Sequence, residues 1–373
     1  MKVAVVSNGA HSLLNFRGPL MAEMIERGHE VIALAPDHNS ETKRALRSIG
    51  VEPKDFRLAR SMKGLIGEAK SIVELRNLLK EERPDVIFAY FLKPVIYGTL
   101  AAWLAKIPRR YGLIAGLGFA FSDADAGKSK LKRAFRCAIT FCARFTFRKI
   151  DRLMFQNIDD LNEFVTRKYV APDKTALVGA TGVDMSKWRV APFPDGPLTF
   201  ILVARLLREK GIKEYAEAAR LIKAKSSNIR FLLLGGVDDN VSALSSHEIR
   251  AWVDEGLIEW PGKVPVQEWI ARSHVFVLPS YYREGIPRST QEAMAMGRPV
   301  ITTGLPGCRE TIEDGVNGFV IPPKDSAGLS KAMERFMIEP SLVDQMGRHS
   351  RRMAEERFDV HKLNRDSLKW MDL

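Results

Sequence analysis

Short apolar runs alternate with helical patterns along almost the whole chain, and this alternation constrains the fold more than any other feature. Lys2 to Ser7 reads as a strand and Pro19 to Arg27 as a helix with Leu20, Met21, Met24 and Ile25 facing inward. Glu30 to Ala35 is the next strand, with Gly28 just before it as a helix-ending glycine. Asp85–Ala89, Arg110–Ile114 and Arg152–Gln156 continue the series, with a helix from Tyr97 to Lys106 between the first two. The Pro192-Phe-Pro-Asp-Gly-Pro197 stretch interrupts both periodicities. Strand patterns then resume at Thr199–Val203, Arg230–Leu234, Val275–Leu278 and Val300–Thr302. The expectation is an α/β protein of two doubly wound domains, 1–190 and 191–354, facing a cleft, and 373 residues suffice for both cores. The last segment, 355–373, is expected to be a helix.

Charge separates the halves. Residues 1–190 hold 32 Lys and Arg against 20 Asp and Glu, whereas 191–373 hold 25 of each. The excess peaks between 128 and 149, where Lys128, Lys130, Lys132, Arg133, Arg136, Arg144, Arg148 and Lys149 are interleaved with phenylalanines. On a helix Leu131, Phe135, Ala138, Cys142 and Phe145 form one apolar stripe flanked by cations. Such a segment suits an anionic membrane surface, and equally a core-facing helix with a solvated basic face. No nucleic-acid-binding motif accompanies it. Cys137, Cys142 and Cys308 form no CxxC pair, which points to a reducing compartment and no zinc site. No run approaches the ~20 apolar residues of a membrane span. The expected location is cytoplasmic, peripheral on the inner face of the membrane.

Candidate chemistry concentrates in the second half. Glu284-Gly-Ile-Pro-Arg-Ser-Thr-Gln-Glu292 follows a strand and opens a helix. If helical throughout, it would carry Glu292 roughly 12 Å along the axis and about 80° around it, so that both carboxylates face one cleft. Pro287 suits a first helical turn, and the N–H groups of Gly285 and Ile286 lie at its positive end. Arg205, Arg208 and Lys210 follow the strand that ends at Val203, and open α/β sheets bind ligands at such carboxyl ends. Fixed cations there could compensate a diphosphate without a metal. Gly235 and Gly236 permit close backbone approach. The Ser7–Ser12 loop has one glycine where a dinucleotide fingerprint needs three, which removes the dehydrogenase reading. Arg17 is expected just before the first helix, within reach of a phosphate. Asp123 and Asp125 form a DxD pair too sparse for a hard cation, so no metal is expected.

The Glu284-x7-Glu292 spacing, the run from Glu292 to Ile301 and the Arg205-x4-Lys210-Gly211 pattern closely resemble the family 4 retaining glycosyltransferases of the GT-B fold. The resemblance implies that Arg205 and Lys210 clamp a diphosphate, that Glu284 lies by the donor sugar with Gly285 and Ile286, and that Glu292 holds the ribose. Gly235, Gly236 and the Lys263-Val264 loop would then approach the nucleotide, and the final helix would cross back to the first domain. Many relatives carry a His after the fourth strand, whereas this chain reads Tyr90-Phe-Leu-Lys93-Pro94. Lys93 and the stretch around Gly118 instead resemble a bacterial subgroup that extends polyprenyl-diphosphate-linked glycans from UDP-sugars, N-acetylgalactosaminyltransferases among them. Arg17, Lys93 and Gly118 become acceptor candidates. A UDP-sugar 2-epimerase of the same fold and a non-catalytic sugar-nucleotide binder are the alternatives. No cofactor beyond the donor is expected.

Overall fold

Parallel strands covered by helices on both sides must be apolar at nearly every position, because neither face meets water. The computed structural model describes residues 1–58, 65–117, 143–238, 240 and 242–373. It divides into two units, Met1–Thr181 with Val360–Leu373, and Gly182–Asp359. In the first, β1 (Lys2–Val6), β2 (Glu30–Ala35), β3 (Glu52–Asp55), β4 (Val86–Tyr90), β5 (Arg109–Ile114), β6 (Arg152–Phe155) and β7 (Thr175–Leu177) form one sheet. Its order is β3-β2-β1-β4-β5-β6-β7, and every neighbouring pair is parallel. Successive side chains enter opposite cores: Ala4, Val6, Ile87 and Ala89 join one cluster, and Val3, Val5, Val86, Phe88 and Tyr90 the other.

The second unit repeats the scheme with β8 (Leu198–Val203), β9 (Ile229–Leu234), β10 (Glu259–Gly262), β11 (Val275–Leu278), β12 (Val300–Thr303) and β13 (Gly318–Ile321). Their order is β10-β9-β8-β11-β12-β13, again parallel. Each sheet therefore reverses its winding once, between β1 and β4 and between β8 and β11. A crevice opens at the carboxyl ends of such a strand pair.

Several boundaries differ from the sequence expectation. The first helix spans Ala10–Glu26 and contains Pro19, so Arg17 lies inside it. Its amino terminus is satisfied by Asp37, whose Oδ1 accepts from Ala10 N at 2.7 Å, a cap that arrives from beyond β2 and leaves no local signal. The helix after β4 spans Leu92–Leu104 and takes in Lys93. The units part after Thr181 rather than at 190. The next two residues are already tied into the second unit: Gly182 N donates to Gln291 Oε1 at 3.0 Å, and Val183 N to the Phe358 carbonyl at 2.8 Å. The pairing at Phe358–Asp359 also breaks the expected terminal helix, leaving Glu355 in Ser341–Arg357 and a separate helix Val360–Trp370. The latter belongs to the first unit, where Leu368 and Met371 are buried beside Leu13, Leu20 and Met24. Among the described residues no helix is long and apolar enough to cross a membrane.

One charged residue fastens the Pro192 stretch. Arg298 is fully buried, and its guanidinium donates to the carbonyl oxygens of Ala191, Pro192, Ile270, Ala271 and Met296 at 2.8–3.2 Å. Its Cζ lies 4.6 Å from the centroid of the Phe193 ring, and burial pushes its pKa down to about 10. Arg298→Met strands these acceptors without a donor and is expected to cost about 3 kcal/mol or more in denaturant unfolding, since each buried unsatisfied group costs ~1–3 kcal/mol. A loss under ~1 kcal/mol would show that the linker carbonyls find other donors.

Candidate active site

Loops leaving β8 and β11 meet where the second sheet reverses. After β8 the chain passes Arg205, makes a 3-10 turn at Arg208–Lys210, and turns through Gly211 at φ +74°. A Cβ on Gly211 would stand 2.2 Å from the Pro279 carbonyl oxygen, so only glycine lets the two loops approach this closely. The Glu209 carbonyl then accepts from Tyr281 N at 2.8 Å and Tyr282 N at 3.1 Å. This stitching delivers Lys210 to Glu284. Their side chains form an ion pair, only 11% and 10% exposed. Ser280 Oγ donates to Glu284 Oε1 at 2.9 Å, and the Lys210 ammonium lies 5.2 Å from the Tyr282 ring centroid.

Glu284 is held from the other side as well. Gly307, at φ +87°, packs so tightly that a Cβ would lie 1.8 Å from the Gly285 carbonyl oxygen and 2.8 Å from Glu284 Cβ. Cys308 is buried next to it, and burial pushes its thiol up to about 12. Gln291, also fully buried, donates through Nε2 to the Ile286 carbonyl at 2.9 Å while its Oε1 accepts from Gly182 N. Nothing in the local sequence marks Ser280, Gln291 or Gly307 as supports: Ser280 reaches Glu284 and Gln291 reaches Ile286 across an irregular loop, and Gly182 and Gly285, met by Gln291 and Gly307, lie far along the chain.

Glu292 lies differently from the expectation. Residues 284–287 are not helical, Pro287 caps, and the helix spans Arg288–Ala295, so Glu292 is about one turn in rather than two. It pairs with Arg288, whose Nε donates to Oε1 at 3.0 Å, and burial pushes its pKa up. Arg205 is half exposed, with Asp238 3.6 Å away on the loop after β9. In that loop Gly235 lies against the Ala204 carbonyl, where a Cβ would be 2.1 Å away, and Gly235 N donates to the Gly262 carbonyl at 3.0 Å. A Cβ on Gly236 would be 3.5 Å from Lys263 Cβ, so the loops after β8, β9 and β10 converge; Lys263 is exposed and Val264 half-buried. Arg208 is structural: it grips both oxygens of Glu248 at 2.9 and 3.1 Å and braces the helix Ser246–Asp254.

In the first unit Arg17 is 4% exposed, its guanidinium 5.3 Å from the Tyr90 ring centroid and 5.9 Å from that of Phe88. It is a buried helix residue rather than a loop cation. Tyr90 is buried, hydrogen-bonded to Ser12 Oγ at 2.8 Å, and pushed up to about 12 by desolvation. Lys93 pairs with Glu68 at 3.0 Å, and Tyr97 donates to the same carboxylate at 2.6 Å. Gly118, Asp123, Asp125 and most of 128–149 lie outside the described residues. At the described end of that segment Phe147 is buried against Phe164 while Phe145 is 43% exposed; the rest of the expected stripe lies outside the described residues. Among the described residues no group of three or more His, Cys, Asp or Glu could hold a metal.

Comparison with known proteins accounts for both units. Residues 17–181 match the family model described as glycosyl transferase 4-like domain, and residues 197–339 the one described as glycosyl transferases group 1. The N,N'-diacetylbacillosaminyl-diphospho-undecaprenol alpha-1,3-N-acetylgalactosaminyltransferase of Campylobacter jejuni is 27% identical over 92% of this chain and 91% of its own length. An Escherichia coli UDP-Gal:alpha-D-GlcNAc-diphosphoundecaprenol alpha-1,3-galactosyltransferase is 24% identical over 80% of this chain and 78% of its own. Among solved structures, Anabaena HepE in complex with UDP and glucose has a TM-score of 0.75 at 16% identity, covering 100% of this chain and 99% of that one. At that identity the likeness is one of fold.

Gly307→Ala combines a positive φ with a clash, whereas Gly315→Ala has a positive φ, +74°, and open space. The second is expected to cost roughly 1–2 kcal/mol for the left-handed conformation alone, and the first at least ~1 kcal/mol more. Equal losses in chemical denaturation would mean that the Gly285 carbonyl yields freely.

Proposed function

Because this chain belongs to the family 4 glycosyltransferases, we propose that it moves a sugar from a UDP-sugar to a polyprenyl-diphosphate-linked or polysaccharide precursor, with retention and without a metal. The observation that carries this reading is the Lys210–Glu284 pair at the carboxyl ends of β8 and β11. An ammonium and a carboxylate held together out of water are poised for a ligand that is anionic at one end and rich in hydroxyls at the other. In this reading the donor diphosphate replaces Glu284 as the partner of Lys210, with Arg205 as the second cation. The released carboxylate turns to the sugar hydroxyls, beside the backbone of Gly285 and Ile286. Glu292 takes the ribose, and the Gly235, Gly236 and Lys263-Val264 loops take the rest of the nucleotide. As the anomeric C–O bond breaks, its electron pair passes to the phosphate oxygen, where the two cations oppose the growing charge. The acceptor hydroxyl attacks the face just vacated, and its proton passes to that same phosphate oxygen.

The acceptor and the membrane belong to the same proposal. The Campylobacter jejuni and Escherichia coli relatives are named for undecaprenol-diphosphate-linked substrates, which supports a lipid-linked acceptor here. The positive excess of residues 1–190 supports work at the cytoplasmic face of an anionic membrane, with Arg17, Lys93 and Gly118 on the acceptor side.

Calorimetric titration with UDP, paired with transfer of labelled sugar to lipid-linked glycan in excess EDTA, tests the chemistry. Lys210→Ala is expected to weaken UDP at least ~10-fold, while Glu284→Gln keeps or tightens UDP binding and lowers transfer by ~100-fold or more. Full transfer by Glu284→Gln would remove the assignment. Replacing Lys130, Lys132, Arg133 and Arg136 by Glu is expected to cut binding to anionic vesicles at least ~100-fold, each cation being worth about 1 kcal/mol at such a surface. Unchanged vesicle binding would return that segment to the protein core.

A further inference from the structure

Arg288 opens its helix, and elementary helix electrostatics says it should not be there. The first turn sits at the positive end of the peptide dipoles, where a cation is unfavourable, and this helix has no acidic residue in its first turn to offset one. The pair it makes with Glu292 at i+4 runs cation first, the poorer order for stabilising a helix. Yet both side chains are largely withdrawn from solvent, Arg288 21% and Glu292 14% exposed, and meet at 3.0 Å. An unfavourable cation kept in a protected place calls for a role other than helix stability.

We infer that Arg288 is a positioning residue for nucleotide recognition: it holds Glu292 by Oε1, so that the carboxylate meets the vicinal hydroxyls of a ribose. The inference rests on the reading of Glu292 as the ribose-holding carboxylate. Burial alone drives Glu292 toward the neutral acid, and the Arg288 charge and hydrogen bond oppose that. A neutral carboxyl donates one hydrogen bond, whereas a carboxylate accepts from two hydroxyls. The hydrogen bond from Arg288 Nε fixes the position of Oε1 and leaves Oε2 outside the pair. Residues around them supply no mobility that could substitute, because Thr290, Gln291, Ala293, Met294 and Ala295 are all buried.

The test compares UDP with 3′-deoxy-UDP by calorimetry in the full-length protein, with circular dichroism to verify folding. Wild type is expected to prefer UDP at least ~10-fold, in line with the value of a hydrogen bond to a charged group. Glu292→Ala is expected to abolish the preference. Arg288→Met is expected to abolish it too while leaving 3′-deoxy-UDP affinity within about twofold, and Arg288→Lys to restore part of it. Should Arg288→Met not fold, Arg288→Gln keeps a polar donor on a shorter stem and lacks the charge, and a preference cut at least ~3-fold is expected. An undiminished preference in folded Arg288→Met or Arg288→Gln, with Glu292→Ala having lost it, overturns the role of Arg288 and leaves the ribose reading standing. A preference that survives in Glu292→Ala removes the ribose reading itself, and the role of Arg288 with it.

Discussion

A lysine and a glutamate, each about one-tenth exposed, are the interaction around which the second unit is arranged. Removing both charges from water is costly, and their attraction repays it only with good geometry and further hydrogen bonds. The chain supplies these by construction. Gly211 allows the β8 loop to touch Pro279, the Glu209 carbonyl gathers the amides of Tyr281 and Tyr282, and Ser280 steadies Glu284. The contacts of Gly211 and of the Glu209 carbonyl are possible only because β8 and β11 are neighbours, at the one place in the sheet where the winding reverses.

The surrounding loops are held by close backbone approach. Gly211, Gly235 and Gly307 each lie where a Cβ would meet a carbonyl oxygen at 1.8–2.2 Å, and each has a positive φ. Gln291 and Arg298 complete the frame with side chains buried among backbone groups, joining the segment after Thr181 to the helix and loops behind the site. Three of the candidate donor-site ions are paired within the chain: Lys210 with Glu284, Arg205 with Asp238, and Glu292 with Arg288. In the proposed reading, donor binding is an exchange of partners for Lys210 and Arg205, while Arg288 keeps its hold on Glu292. Exchange limits the net gain in charge pairing and leaves discrimination to geometry.

Legibility followed the range of the interactions involved. The strands β1, β2, β4, β8, β9, β11 and β12 were readable because their apolar runs are local. Short strands such as Glu52-Pro-Lys-Asp55 were not, since three of those four side chains are polar or charged and pairing with β2 alone makes them a strand. The pattern of the first helix is legible only from Pro19, because its true start is capped by Asp37, a residue from beyond β2. Arg17 consequently looks like a loop cation in sequence, whereas the structure buries it over Tyr90. The Pro192 stretch looked like a junction because its composition forbids regular structure, although Arg298 binds its carbonyls.

The sequence by itself determined the alternation of strand and helix, the two-unit α/β architecture and the charge asymmetry, because these depend on residue type and spacing along the chain. Tertiary structure alone decided which charged groups pair, that Glu284 precedes the helix bearing Glu292, and that Ser280, Gln291 and Gly307 hold the loops. The Lys210–Glu284 pair and the Gly307 contact depend on strand order and on approaches of a few ångströms between segments far apart in the chain, while the rest depend on an irregular loop between β11 and its helix that no periodic pattern of residues encodes.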